Sequence, residues 1–119
     1  MLDMNRMIEI IKKNQDFEKV GMILCHNGIV RGYSKDGRKV KALKVKLDNA
    51  KLTNLINRIK RKPGIIDVLV DIREGELSIG EDIMYVVIAG DIRENVFPAL
   101  KEVVNSIKSY VIKKEEEIF

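Results

Sequence analysis

The chain has no tryptophan, one cysteine, one histidine and two prolines among its 119 residues, and each scarcity removes a class of function. A lone Cys25 excludes an internal disulfide, and Cys25 with His26 cannot complete a Cys/His zinc site, so neither metal nor cofactor is expected. Three Phe and three Tyr supply few platforms for stacked bases, which makes nucleic acid an unlikely partner. No uncharged apolar run approaches the roughly 18 to 20 residues of a membrane span. The N-terminus, MLDMNRMIEIIKKN, carries charge where a signal peptide needs its apolar core. These absences lead to the expectation of a cytoplasmic, unexported chain with no membrane partner.

What is present is ordinary globular composition with a basic excess. Hydrophobic residues make up 45% and charged residues 34%, enough for one core and one domain over residues 1–119. The net charge of +4 and pI of about 9.2 favour an anionic ligand or partner.

Hydrophobic period divides the chain. Met4, Met7, Ile8 and Ile11 recur at helical spacing behind Asp3. Residues 20–25 (VGMILC) form an apolar run of strand length, residues 39–47 alternate as a half-buried strand, and Asp36-Gly37 between them predicts a hairpin. Within that turn region, Gly28-Ile29-Val30-Arg31 reads either as solvated surface or as a corner where a glycine lets an anion approach an arginine. Cys25 reads as a small buried hydrophobe and His26 as a polar residue at the strand end rather than a general base.

Asp48 caps a second helix through Leu52, Leu55, Ile56 and Ile59, which Pro63-Gly64 stops. Its basic end, NRIKRK, reads as solvated surface that suits the helix dipole rather than as a nucleic-acid patch. Residues 65–73 alternate as a strand, with Asp67 and Asp71 expected in solvent, and residues 74–81 read as a loop. Residues 83–89 form a mostly apolar strand that should pair with 65–73 and needs cover on both faces. A last helix is expected from about Asn95, with Pro98 in its first turn and Val96, Leu100, Val103, Val104, Ile107 and Val111 as its buried stripe. The KKEEE segment reads as a frayed end or as a docking segment for a partner. The order of elements is that of an α+β domain.

Several stretches together resemble the large, catalytic subunit of molybdopterin synthase, of which this would be a divergent member. They are Gly28-x-Val30-Arg31, Gly37, Val40, Ala42-Leu43, Arg73-x-Gly75-x-Leu77-x-x-Gly80-Glu81, Arg93 with Phe97, Lys108, and Lys113-Lys114-Glu115. The resemblance implies an alpha/beta hammerhead fold with a mainly antiparallel sheet and flanking helices. It also implies sulfur transfer from the thiocarboxylated C-terminal glycine of a small ubiquitin-like subunit to cyclic pyranopterin monophosphate, within a heterotetramer built on a homodimer. By the same resemblance, Lys108 and Lys113 are the catalytic residues. Ile29, Val30, Arg31, Ile92, Arg93, Lys114 and Glu115 contact substrate, with Arg93 reaching the neighbouring subunit's pocket. The chain departs from the family where Ile72 and Ile92 replace histidines, and where residues 110–112 run two residues shorter before the terminal lysines. A non-catalytic dimeric relative that binds an anion or a protein is the alternative.

Overall fold

The first helix, α1 (Met4–Lys12), starts where the Asp3 carboxylate accepts from the Arg6 N–H at 2.8 Å, and it turns Met7 and Ile11 fully inward. In the computed structural model, which describes residues 2–119, a 3-10 turn at Phe17–Lys19 then leads into β1 (Met22–Ile29). This strand begins later and runs further than residues 20–25, because it pairs with β5 (Asp82–Gly90) along its whole length.

The hairpin expected across residues 28–43 is not formed between its flanking strands. β1 lies in an antiparallel sheet of order β1-β5-β3, whereas β2 (Val40–Leu47) is the middle strand of a second, of order β4-β2-β6. Only the tip of the hairpin exists: Tyr33 bridges Lys39, Gly37 adopts φ +87°, and the Ser34 hydroxyl bonds to Asp36 while accepting from the Arg38 N–H at 3.1 Å. A turn signal dictates local reversal, but each flanking strand finds its long apolar partner elsewhere.

Asp48 caps α2 (Asn49–Lys60), accepting from the Lys51 N–H at 3.0 Å, and Leu55 and Ile59 are buried beneath it. Burying each such side chain contributes about 1.5–3 kcal/mol. β3 (Ile65–Ile72) pairs with β5 as expected. Asp67, expected in solvent, is instead 9% exposed and held by Lys60 at 3.4 Å and Asn14 at 3.3 Å. Residues 74–81 are not all loop: β4 (Gly75–Ser78) pairs with β2 and buries Leu77 opposite Leu43.

The central strand β5 is covered on both faces by its own chain. Val86 and Ile88 join the main core, to which α2, α3 and the second sheet contribute, while Val87 and Ala89 pack with Met7 and Ile11 of α1. The cover that residues 83–89 need on both faces is therefore supplied within one chain. At the end of β5, a Cβ on Gly90 would stand 2.5 Å from Val96 Cγ2 and 2.6 Å from the Gly64 carbonyl, so only glycine lets strand and helix close there.

α3 (Arg93–Ser106) begins before Asn95, which makes Pro98 its sixth residue rather than part of its first turn. The missing N–H leaves the Glu94 carbonyl without its helical donor on an exposed face, where water can serve. α3 runs on into a π-helical turn, Ile107–Val111, and then into β6 (Ile112–Ile118), which pairs with β2. The KKEEE segment is thus an edge strand of the chain's own sheet. Among the described residues, no helix is long and apolar enough to cross a membrane.

Candidate functional site

Strand alternation and one tight turn bring four cations together. Lys114 stands opposite Val45 in the β2-β6 ladder, so its side chain leaves on the face that carries Leu43 and Val45 into the core. Burial there lowers its pKa, and the charges of Lys108, Lys35 and Arg31 lower it further, against the opposing pull of Glu116. Lys108 comes from the π turn, Lys35 from the hairpin tip and Arg31 from the corner after β1. None of these four has a carboxylate within ion-pair distance among the described residues, whereas Arg38, Arg58, Lys60, Lys62 and Arg73 all do. Uncompensated positive charge at a partly desolvated place is what binds an anion.

The corner that holds Arg31 is built by backbone. Val30 donates its N–H to the Glu81 carbonyl and accepts from the Gly80 N–H, each at 2.9 Å, which locks residues 29–31 against the β4–β5 turn. Arg31 Nε donates to the Tyr33 carbonyl at 2.7 Å, fixing the guanidinium while leaving its remaining donors available. Val30 itself is buried, so its side chain belongs to the core, and Ile29 is 53% exposed beside it.

His26 is the residue that reading the sequence undervalued. It lies inside β1, not at its end, and is half-buried on the strand face that also carries Met22 and Leu24 toward the main core. Gly28, two residues on, shares that face and adds no side chain between His26 and its surroundings. Burial lowers the His26 pKa, and the Lys108 charge lowers it further, so the surroundings favour the neutral imidazole. Lys35 was likewise unremarkable in the sequence. Its place depends on the hairpin tip, where hydrogen bonds from Ser34 and Arg38 pull the Asp36 carboxyl down to about 2.

Other candidates lie apart. Lys113 pairs across the ladder with Lys46, and Glu115 with Lys44, on the outer face of the second sheet. They do share with Lys114 a groove of about 610 Å³, open over Gly75, but neither Arg31 nor Lys108 lines that groove. The cation group is the better candidate for anion chemistry, because the groove also presents Glu76 and Glu115. Ile92 and Arg93 sit at the start of α3, fifteen and more residues before Lys108, which puts them about 20 Å away along the helix. Arg93 is largely exposed and, among the described residues, forms its one ion pair with Glu94, at 3.4 Å. Cys25, expected in the core, is exposed on the opposite face of β1 from His26, and partial burial pushes its thiol pKa up, away from a reactive thiolate. The basic end of α2 is partly compensated where Lys60 meets Asp67 and where Arg58 and Lys62 share Glu102.

A family described as MoaE protein matches residues 1–110, which include Arg31, Arg93 and Lys108 but stop short of β6. An uncharacterized protein of Methanocaldococcus jannaschii is 38% identical over 109 residues, covering 88% of this chain and 90% of that one. Among solved structures, molybdopterin synthase from Staphylococcus aureus superposes with a TM-score of 0.81 at 22% identity, covering 99% of this chain and 86% of that one. One chain of the complex of subunits 1 and 2 of molybdopterin-converting factor from Helicobacter pylori superposes at 0.71 with 19% identity, covering 98% and 80%. At these identities the structural likeness establishes a shared fold.

Proposed function

The chain belongs to the MoaE protein family, which places it in molybdenum cofactor biosynthesis, and on that premise we propose that it is the sulfur-transferring large subunit of a molybdopterin synthase. The observation that carries this reading is the group formed by Arg31, Lys35, Lys108 and Lys114 beside a His26 whose surroundings favour the neutral imidazole. Both expected reactants are anions: a cyclic phosphate on the pyranopterin and a thiocarboxylate at the end of a small ubiquitin-like subunit. The fold shared with a chain of the two-subunit Helicobacter pylori complex supports such a partner.

Each residue then has a task its surroundings suit. Arg31, with its Nε already engaged, offers its remaining N–H donors to phosphate or carboxylate oxygens. Lys114, with its ammonium destabilised by burial and by its cationic neighbours, is the amine best able to give up a proton; once the thiocarboxylate sulfur has bonded to the pterin carbon as a thioester, it can attack the acyl carbon or act as base for a water that does, so that the acyl C–S bond breaks and the sulfur stays on the pterin as a thiolate. The Lys108 charge acts on both Lys114 and His26. Lys114 thus has a stronger claim than Lys113 to be the second site lysine. Arg93 is too distant to join this group in one chain, and the family resemblance implies that it serves the pocket of a second subunit in a homodimer.

The test is reconstitution of the full chain with a thiocarboxylated small subunit and the cyclic precursor. The expected result is formation of the dithiolene product with loss of two thiocarboxylates for each dithiolene formed. Tight binding of the small subunit without product would overturn the enzymatic reading and leave a non-catalytic relative.

A further inference from the structure

The π turn that presents Lys108 is an unusual element to entrust with a site residue. A π turn is wider than an α turn and seldom forms without an outside constraint. Here the turn follows α3 with no side-chain cap, and Ile107 and Val111 anchor it inward at both ends. Val111 also accepts from the Asp48 N–H at 2.9 Å, which ties the end of the turn to the start of α2. Ile107 and Val111, buried on one face, set the turn's rotation coarsely, and neither they nor the Asp48 contact anchors its outer side.

Tyr110 supplies what is missing. It lies two residues after Lys108 in the same turn and therefore projects from nearly the opposite side. Its hydroxyl meets Arg58 Nη2 of α2 at 3.1 Å. Arg58 is aimed in turn by Glu102 of α3, whose carboxylate takes Arg58 Nη1 at 2.5 Å and the Lys62 ammonium at 3.0 Å. The guanidinium fork thus grips α3 with one arm and the π turn with the other. Exposed pairs of this kind add little to stability, so their consequence should be sought in geometry.

We propose that Arg58, held by Glu102 and donating to Tyr110, is a positioning clamp that sets the rotation of the π turn and so aims Lys108 at His26 and Lys114. This rests on the reading of Lys108 as a site lysine.

His26, the only histidine, provides a direct reporter, because its titration followed by NMR senses the Lys108 charge. In the full chain, Lys108→Ala should move the His26 midpoint up toward the ordinary value and define the full effect. Tyr110→Phe changes no charge, and it should recover roughly half or more of that movement, as should Arg58→Ala. Lys62→Ala removes a nearby charge but leaves the Arg58–Tyr110 contact, and it should titrate like the parent. With a reconstituted small subunit, Tyr110→Phe should lower kcat on the order of tenfold with little change in KM. A Tyr110→Phe variant whose His26 titrates like the parent while Lys108→Ala shifts would overturn the clamp, as would failure of Lys108→Ala to move His26. If Tyr110→Phe shifts His26 but turnover stays at the parent level, the clamp stands and the catalytic reading of Lys108 falls.

Discussion

Lys113 and Lys114 are neighbours in the chain and project from opposite faces of β6: Lys114 stands opposite Val45 on the inward face, and Lys113 opposite Lys46 on the outward one. Period two along a strand makes the two residues unequal even though they are chemically identical. Lys114 is brought under the influence of Lys108, Lys35 and Arg31.

The first prediction follows from that difference. With a reconstituted thiocarboxylated partner, Lys108→Ala and Lys114→Ala should each lower kcat by about 100-fold or more, and Lys113→Ala by no more than about threefold. Thermal melts should coincide for all three. A Lys113→Ala variant as impaired as Lys114→Ala would return the second site lysine to the outer face.

Arg31→Ala should weaken binding of the anionic pyranopterin by about 1.5–3 kcal/mol, or roughly 10- to 150-fold, the usual value of a hydrogen bond to a charged group. Calorimetric titration of the precursor into the chain measures this. Unchanged affinity would mean that the guanidinium is occupied with its own corner and contacts no substrate.

Arg93 and Lys108 lie at opposite ends of α3 and the π turn, so a dimer that shares its sites should show complementation. Arg93→Ala and Lys108→Ala should each be nearly inactive alone. Mixed and allowed to exchange subunits, they should regain about a quarter of the parental sites, since half the dimers are mixed and each has one intact pocket. No recovery, with exchange demonstrated by mass spectrometry, would refute a shared pocket.

His26 makes stability depend on pH in a defined direction. Its folded pKa lies below the ordinary 6.5, so the unfolded chain binds more protons through that interval, and stability rises with pH there. The contribution is complete above 6.5 and is lost as pH falls from 6.5 toward the depressed folded value. Urea midpoints between pH 7.5 and 5.5 should decline in the parent and stay flatter in His26→Gln, because unperturbed carboxylates titrate lower, near 4. Equal slopes would argue that the imidazole is solvated.

Gly90→Ala should destabilise the fold by about 1–3 kcal/mol, since the added methyl must displace Val96 or the Gly64 carbonyl. Gly37→Ala, at a position of φ +87° with open space around it, should cost about 1 kcal/mol or somewhat more through backbone conformation alone. A denaturant series separates the two; a milder effect at Gly90 would show that α3 can shift away from β5.

The chain by itself determined the elements whose signals are local. Asp3 and Asp48 each cap a helix because a carboxylate can reach back to an N–H within its own first turn, and the apolar faces of α1 and α2 follow from a period near 3.6. The pairing of β3 with β5 was legible because both are apolar runs joined by a short connection. Arg31 stood out because Gly28 and a turn flank it. What only the tertiary structure decided is everything that depends on register across long separations. The chain's strongest turn signal does not join β1 to β2, since strand partners are chosen by burial along the whole length rather than by the turn between them. A four-residue strand such as β4 has too few residues to show a period, and becomes a strand only because Leu77 finds Leu43. Whether Lys113 or Lys114 faces inward is set by one residue of register against β2, and the place of His26 by β1 pairing with β5 on the side that packs against α3. No local pattern encodes either, because each is a relation between segments far apart in the chain.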